Sequence, residues 1–292
     1  MSNTNSELSS LVSIGIATKN RWLDLQVTLS KLNKLGLESV PIVIYDDASN
    51  SSCSFDLEGL GFHALQLQTC SKSQGYIVRR NQIAAQIKTK YYLSLDDDSY
   101  PVTGCLEAAI AFAEAQSDLL CLSFPIYNPV QQKYENRSTR TKPYRVRSFI
   151  GCGHLLHRDR FLKLGGYRVE LVHQGEEMEL AARAFQQGLY CYHFPDFLIH
   201  HTASDRGRNW WRMDFYGARN HVLWNDWYVP HPHKTIKQFR ALISRLLLSI
   251  KVRRWSLIRG EIAGFKAIAL YQDNRQTMSE KHFARWQQLP HS

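Results

Sequence analysis

Between residues 11 and 124, short apolar, β-branched runs alternate with segments of helical period, and that alternation leaves few folds open. Leu11–Ala17 reads as a buried strand ended by the turn residues Thr18-Lys19-Asn20. Trp22, Leu25, Leu29, Leu32 and Leu35 then recur at helical spacing, and Gly36 supplies the stop. Val40–Tyr45 is a second strand, His63–Leu67 a third, Tyr91–Leu95 a fourth, and Leu119–Phe124 closes the series, with helices expected over Gly75–Ile87 and Thr103–Ala115. The fold class is α/β, with a mostly parallel sheet and helices on both faces, and ligands bind such sheets beyond the carboxyl ends of the strands. The polar, basic stretch from Pro125 to Arg147 is expected to be a long functional loop.

The 292 residues allow one large α/β domain plus an appendage, and the charge is divided accordingly. Residues 1–204 hold 20 Lys+Arg against 20 Asp+Glu, whereas residues 205–292 hold 16 against 6, so the whole excess of +10 lies in the last third. The expected organisation is a loose N-terminus over 1–10, a catalytic domain over 11–204 and a basic, largely helical extension over 205–292. Nucleic-acid binding is disfavoured, because it needs basic residues interleaved with aromatics along a groove and the front two thirds are neutral. The six cysteines are far apart, read mostly as small buried thiols, and lack the close pairs of zinc or redox sites. The polar start has no apolar signal region, so the expected location is the cytoplasm. The apolar run Ala241–Ile250 is interrupted by Arg245 and falls short of the ~20 residues a spanning helix needs.

Three acidic groups stand at places where chemistry is done. Asp96-Asp97-Asp98 directly follows a buried strand, where three carboxylates repel one another unless a cation is present. Oxygen ligands of this kind suit Mn²⁺ or Mg²⁺, which bridge carboxylates and substrate phosphates. Asp46-Asp47-Ala48-Ser49 ends the second strand in the same way, and a carboxylate there can accept hydrogen bonds from a nucleobase or ribose. Either cluster could instead be a plain Asp-rich turn. Gly175-Glu176-Glu177 opens a helix, where acidic residues also serve the helix dipole, and Glu177 or Glu176 could act as a general base. Adjacent His200 and His201 on an extended chain point to opposite sides, so at most one ligates a metal held by Asp96 and Asp98.

In the extension, Ile236, Phe239, Ile243, Leu246, Leu247 and Ile250 share one helix face, with Lys234, Lys237, Arg240 and Arg245 largely off it. Such a helix either packs on the catalytic domain or lies in an anionic membrane interface, making the enzyme peripheral on the inner face of the membrane.

Taken in order, Ser13–Arg21, Asp46-Asp47-Ala-Ser49, Gly75 through Arg80-Asn81, Leu95-Asp-Asp-Asp98, Gly151-Cys-Gly153, Gly165-Gly-Tyr167, Gly175-Glu-Glu177 with Leu180 and Arg183, and His200 resemble the family-2 inverting glycosyltransferases. The resemblance covers residues 11–204 and implies the Rossmann-like GT-A fold. It implies a nucleotide-diphospho-sugar donor held by Thr18, Asn20, Arg21, Asp46, Asp47, Gly75, Arg80, Asp96 and Asp97. It further implies Mn²⁺ or Mg²⁺ on Asp96, Asp98 and His200, with His201 as the alternative ligand, and Glu177 as base, with Glu176 as the alternative. The acceptor it implies is a saccharide or a lipid-linked sugar, in the assembly of a surface polysaccharide or glycolipid. Two rival readings are a nucleotidyltransferase using the same Asp cluster and a non-catalytic saccharide-binding protein.

Overall fold

The computed structural model describes residues 8–137, 139–203 and 209–292. Residues 8–11 form a helical turn whose Leu8 is packed into the core. The loose start expected over 1–10 therefore gives way at residue 8, because a leucine there has apolar surface to bury; residues 1–7 lie outside the described residues.

The first alternation is realised as β1 (Val12–Thr18), α1 (Trp22–Lys34), β2 (Ile42–Asp46), β3 (Leu65–Thr69), α2 (Tyr76–Gln86) and β4 (Tyr91–Asp96). β1 lies between β2 and β4 and is parallel to both, and β3 extends the sheet from β2. Thr18 pairs with Asp46 and Ala17 with Asp96, so both acidic clusters meet at one carboxyl edge. Only Asp97 and Asp98 separate β4 from β5 (Ser99–Thr103), a strand the sequence reading did not anticipate. α3 (Leu106–Glu114) starts three residues later than expected, since Gly104 takes a φ of +98° against the Asp196 carbonyl and Cys105 is extended.

β6 (Leu119–Ser123) does not join β4 directly. The chain first builds β7 (Ile126–Asn128), β8 (Lys133–Asn136) and β9 (Tyr144–Val146), and then β10 (Gly153–His157) inserts antiparallel between β4 and β6. α4 (Arg158–Lys163), α5 (Glu176–Gln186), β11 (Tyr190–His193) and β12 (Leu198–His201) complete two sheets. The main sheet runs β3-β2-β1-β4-β10-β6-β11-β9 and the smaller one β5-β12-β7-β8. The long loop expected over Pro125–Arg147 thus carries three short strands, β7, β8 and β9. Asn136 stitches its start together, accepting from the Ile126 amide at 2.6 Å and donating to the Phe124 carbonyl at 3.0 Å. The expectation of mostly buried thiols holds for Cys121, Cys152 and Cys191 but not for Cys53, Cys70 and Cys105.

α5 carries Glu176 and Glu177 and is locked from behind. The buried Glu179 carboxylate accepts from Arg168 at 2.7 Å, from Arg183 at 2.7 and 2.8 Å, and from the Tyr228 hydroxyl at 2.5 Å. Glu179→Ala would strand two guanidinium groups, and chemical denaturation should show a loss of about 3–5 kcal/mol. A loss below about 1 kcal/mol would mean that water replaces the carboxylate without penalty.

The C-terminal region consists of α6 (Trp210–Tyr228), α7 (His233–Val252), α8 (Ser256–Ala267) and α9 (Glu280–Gln288). α6 and α9 share a core with the preceding elements, where Leu223, Trp227, Phe283 and Trp286 pack with Phe161, Leu180 and Phe185. Asn220 of α6 donates to the carbonyls of Leu171, His173 and Gln174 at 2.7–2.9 Å. The core of the preceding elements therefore continues into the C-terminal helices. α8 lies close on α6 through Gly260 and Gly264, where any side chain would strike the Phe215 carbonyl or Val222. α7 behaves differently: its apolar stripe faces away from the protein, with Phe239 63 % and Leu247 62 % exposed. The helix itself packs on the protein, through Lys234 on Asp226 of α6 and Arg245 on Glu261 of α8, but by the side opposite to its apolar stripe.

Candidate active site

A cavity of about 610 Å³ opens at the carboxyl edge of β1 and β4, within the size range of small-molecule sites. Thr18, Asn20, Arg21, Asp47, Gly75, Arg80, Asp96, Asp97, Asp98, Glu177 and His201 all line it. Asp46, Glu176 and His200 are not among its lining residues. The Asp46 carboxylate instead closes a turn, accepting from the Ser49 amide at 3.0 Å and its hydroxyl at 2.5 Å. Asp46 was expected to contact the base of a nucleotide; the structure uses it to shape the rim.

Asp47 touches the cavity, yet its oxygens are engaged by its own chain. It accepts from Ser73 at 2.6 Å, the Gln74 and Gly75 amides at 2.8 and 2.9 Å, and Arg79 at 2.7 Å. Burial alone would raise its pKa, but these four donors outweigh burial and hold the carboxyl below its ordinary value. Gly75 caps α2 with a φ of +91°, a conformation that suits glycine. Asn20, itself left-handed at φ 58°, joins the loop after β1 to the loop after β2 by a 2.7 Å bond from the Asn50 amide.

The three consecutive aspartates divide the work. Asp97 turns inward, accepting from Thr18 at 2.7 Å and lying 3.1 Å from Arg21. Burial pushes its carboxyl up to about 8, against the opposing pull of Arg21. Asp98 is ion-paired to Arg21 at 2.5 Å and lies 3.5 Å from His201. Burial would raise it as well, but His201 and Arg21 prevail and hold it well below the usual carboxylate range. Asp96 is the most open of the three and accepts from Arg80 at 2.6 Å. Ligand atoms of Asp96, Asp98 and His201 come within 4.8 Å of one another, a spacing at which one ion can be shared. His201 also meets Glu135 of β8 through Nδ1 at 2.8 Å, which leaves Nε2 facing Asp98. His200, the ligand favoured from sequence, lies between the rings of Tyr100 and Tyr127, with centroids at 5.9 and 5.3 Å. The alternation of side chains along β12 sends it there, so His201 replaces it as the histidine of the site.

Arg80 ties the two halves of the cavity together. Buried over the Tyr76 ring, it reaches Asp96, the Gly151 carbonyl at 2.9 Å, Glu176 at 3.4 Å and Glu177 at 3.8 Å. It was expected among the residues that hold the donor, and it lines the cavity while pairing with carboxylates on both sides of it. Any side chain at Gly151 would collide with the Glu177 carboxylate and the Arg80 guanidinium. Glu176 is fully buried beneath, while Glu177 presents its carboxyl to the cavity. Burial, reinforced by the neighbouring Glu176 and opposed by Arg80, raises Glu177 well above an ordinary carboxylate.

Several lining residues were missed in the sequence. Tyr76 and His173 stand on the wall between α2 and α5, and burial lowers His173 to about 4. Cys152 lies beside His201. Arg212 and Met213 come from α6, inside the stretch set apart as an extension. Spacing offered no signal for these, because each is brought in by tertiary packing.

The chain resembles known proteins in both sequence and fold. It is 26 % identical over 234 residues to the pre-mycofactocin glycosyltransferases of Mycobacterium tuberculosis strains CDC 1551 and H37Rv, a match covering 73 % of this chain and 48 % of theirs. It thus spans about half the length of these curated relatives. Its fold is similar to that of GalNAc-T7 crystallised with UDP, GalNAc and Mn²⁺, at a TM-score of 0.64 and 16 % identity over 95 % of this chain and 56 % of that one. It is also similar to the mannosyltransferase PcManGT of Pyrobaculum calidifontis in complex with GDP-Man and Mn²⁺, at 0.58 and 14 % over 94 % and 77 %. A third such structure is S. aureus TarS 1–349 with UDP-GlcNAc, at 0.56 and 15 % over 94 % and 78 %. At these identities the three structures speak for the GT-A fold alone. The model of glycosyl transferase family 2 matches residues 13–172, more than half of the chain and the whole stretch from β1 to the loop before α5, and the protein belongs to that family.

Proposed function

We propose that the protein is a metal-dependent, inverting glycosyltransferase that moves a sugar from a nucleotide-diphosphate donor to a saccharide or lipid-linked acceptor, in the assembly of a surface polysaccharide or glycolipid. One observation carries this reading: a two-carboxylate, one-imidazole ligand set and a raised, cavity-facing carboxyl share one pocket and are bridged by Arg80. Asp96, Asp98 and His201 would hold Mn²⁺ or Mg²⁺, an ion that would neutralise the diphosphate. Two of the similar structures contain Mn²⁺, and an imidazole in the set suits Mn²⁺ better than Mg²⁺.

This chain's own residues then have distinct duties. Asp47 and Asn20 hold the two loops that flank the donor, and Arg21 keeps Asp97 and Asp98 side by side. Glu177 takes the proton of the acceptor hydroxyl, making that oxygen the nucleophile at the anomeric carbon. A single displacement with one base inverts the configuration there. The raised Glu177 carboxyl makes it a stronger base than an ordinary glutamate, and Arg80 steadies its charge. A nucleotidyltransferase would use the same aspartates but leave Glu177 without work.

A thermal-shift panel of nucleoside diphosphates and nucleotide sugars, with and without Mn²⁺, tests the donor class. A ligand at about 100 times its Kd adds about 2.7 kcal/mol, a shift of several degrees. The expected pattern is stabilisation by one nucleotide family, larger with Mn²⁺. Stabilisation by nucleoside triphosphates alone would favour the nucleotidyltransferase.

A further inference from the structure

α7 is amphipathic in the opposite sense to a helix that packs by its apolar side. Ile236, Phe239, Ile243, Leu246, Leu247 and Ile250 are between 43 and 63 % exposed and form its outward stripe. The side turned to the protein is mostly polar, with Ala241 and Leu242 half-buried on it. Lys234 bonds Asp226 at 3.0 Å, Lys237 lies 5.8 Å from the Phe283 ring centre, Arg245 pairs with Glu261 of α8, and Ser249 is buried. Burial of apolar surface is the main drive of folding, so a helix that docks by its polar side and leaves six large apolar side chains outside is shaped for a second apolar phase. α8 and the turn after it add Ile262, Phe265 and Leu270, the last 77 % exposed.

The charge of the region that carries this face identifies that phase. Residues 231–270 contain nine Lys and Arg and one acidic residue, Glu261, which is fully buried against Arg245. Arg240, Lys251, Arg253, Arg259 and Lys266 are exposed. A second copy of this chain would bring two such basic faces together and is opposed by their repulsion. An anionic bilayer surface answers both features, taking the apolar stripe among the acyl chains and the basic residues at the headgroups. No helix among the described residues is long and apolar enough to cross a membrane. We propose that the outward face of α7, with Ile262 and Phe265 of α8, docks in the interface of an anionic bilayer.

The docked face is coupled to the cavity. Arg254, just after α7, pairs with Asp214 of α6, and Ser256 at the start of α8 donates to the same carboxylate at 2.8 Å. Asp214 directly follows Arg212 and Met213, which line the cavity. The α7–α8 junction is thus fixed to one wall of the pocket, and docking would hold that wall near the lipid surface. This deepens the lipid-linked arm of the proposed acceptor and rests on it for its biological meaning, though not for the binding itself.

The test is co-sedimentation of the full chain with vesicles of phosphatidylcholine alone or mixed equally with phosphatidylglycerol, for the wild type and Ile243→Glu/Leu247→Glu. Both positions are exposed and remote from the cavity lining, so an unchanged Tm and unchanged turnover of a soluble acceptor are expected. The wild type should bind the anionic vesicles, and each basic residue at the headgroups should contribute roughly five-fold, so high salt should weaken binding. The double variant should lose at least about ten-fold in binding, because two apolar anchors become charges. Equal binding by the variant, or no binding by the wild type, overturns the proposal. A wild-type dimer that the variant converts to monomer, without vesicle binding, would assign the face to a second copy. Vesicle binding without sugar transfer from any nucleotide sugar would leave the docking standing and sink the transferase reading, and the converse result would do the opposite.

Discussion

Replacing Glu177 by Gln is expected to lower the rate of sugar transfer by about 10²–10⁴-fold while donor affinity stays unchanged. The substitution keeps the side chain's size and its place against Gly151, but an amide cannot take the acceptor proton. Donor binding should be spared because Glu177 lies on the Arg80 side away from the Asp98–His201 pair, joined to Asp96 only through the guanidinium. Glu176→Gln is the informative neighbour. Glu176 is fully buried on Arg80 and off the cavity, so its loss should be much smaller. Glu179→Gln would not serve as a neutral control, since Glu179 organises Arg168, Arg183 and Tyr228. The pH profile carries the same assignment with a definite sign. A base works deprotonated, and Glu177 is raised from its ordinary 4.5, so the rate should climb with pH along a limb displaced above the usual carboxylate range. A limb at the ordinary value, or a near-normal rate in Glu177→Gln, would remove the base from this helix.

The second large effect concerns the metal. His201→Ala should weaken Mn²⁺ binding, read by calorimetry or by the spectrum of bound Mn²⁺, by more than the roughly 10–100-fold that loss of an outer partner costs. Asp98→Asn should do the same. The fold should survive Asp98→Asn, because Arg21 still has Asp97 at 3.1 Å and Asp24 at 3.4 Å. His200→Ala should leave the affinity untouched, as its ring sits between Tyr100 and Tyr127. Loss of binding in His200→Ala with none in His201→Ala would reverse the assignment made from β12.

Local pattern carried much of this architecture, and its limits are physical. The apolar runs of β1, β2 and β4 are buried on both faces, so they read plainly as parallel strands, with acidic clusters following β2 and β4. β10 is only Gly153–His157, and its antiparallel place between β4 and β6 depends on pairing with distant residues that spacing does not encode. β8 hides in a basic stretch because Lys133, Tyr134 and Glu135 are exposed, and β7, though buried, is only three residues long; Glu135, which positions His201, is hidden with them. Periodicity located the stripe of α7 correctly. It could not say on which side of that stripe the protein lies, since a helical repeat marks a face and not its neighbour. Arg212 and Met213 reach the cavity because α6 is anchored there, by Asn220 on the loop before α5 and by Leu223 and Trp227 in the shared core.

Product analysis tests the central claim most directly. Purified protein is given the nucleotide sugar that stabilises it, Mn²⁺ and an acceptor, and both the released nucleotide and the new anomeric centre are identified by NMR. The account predicts free nucleoside diphosphate and a linkage of configuration opposite to the donor's, both absent in Glu177→Gln. Release of pyrophosphate from a nucleoside triphosphate, or a product with the donor's configuration retained, would contradict it.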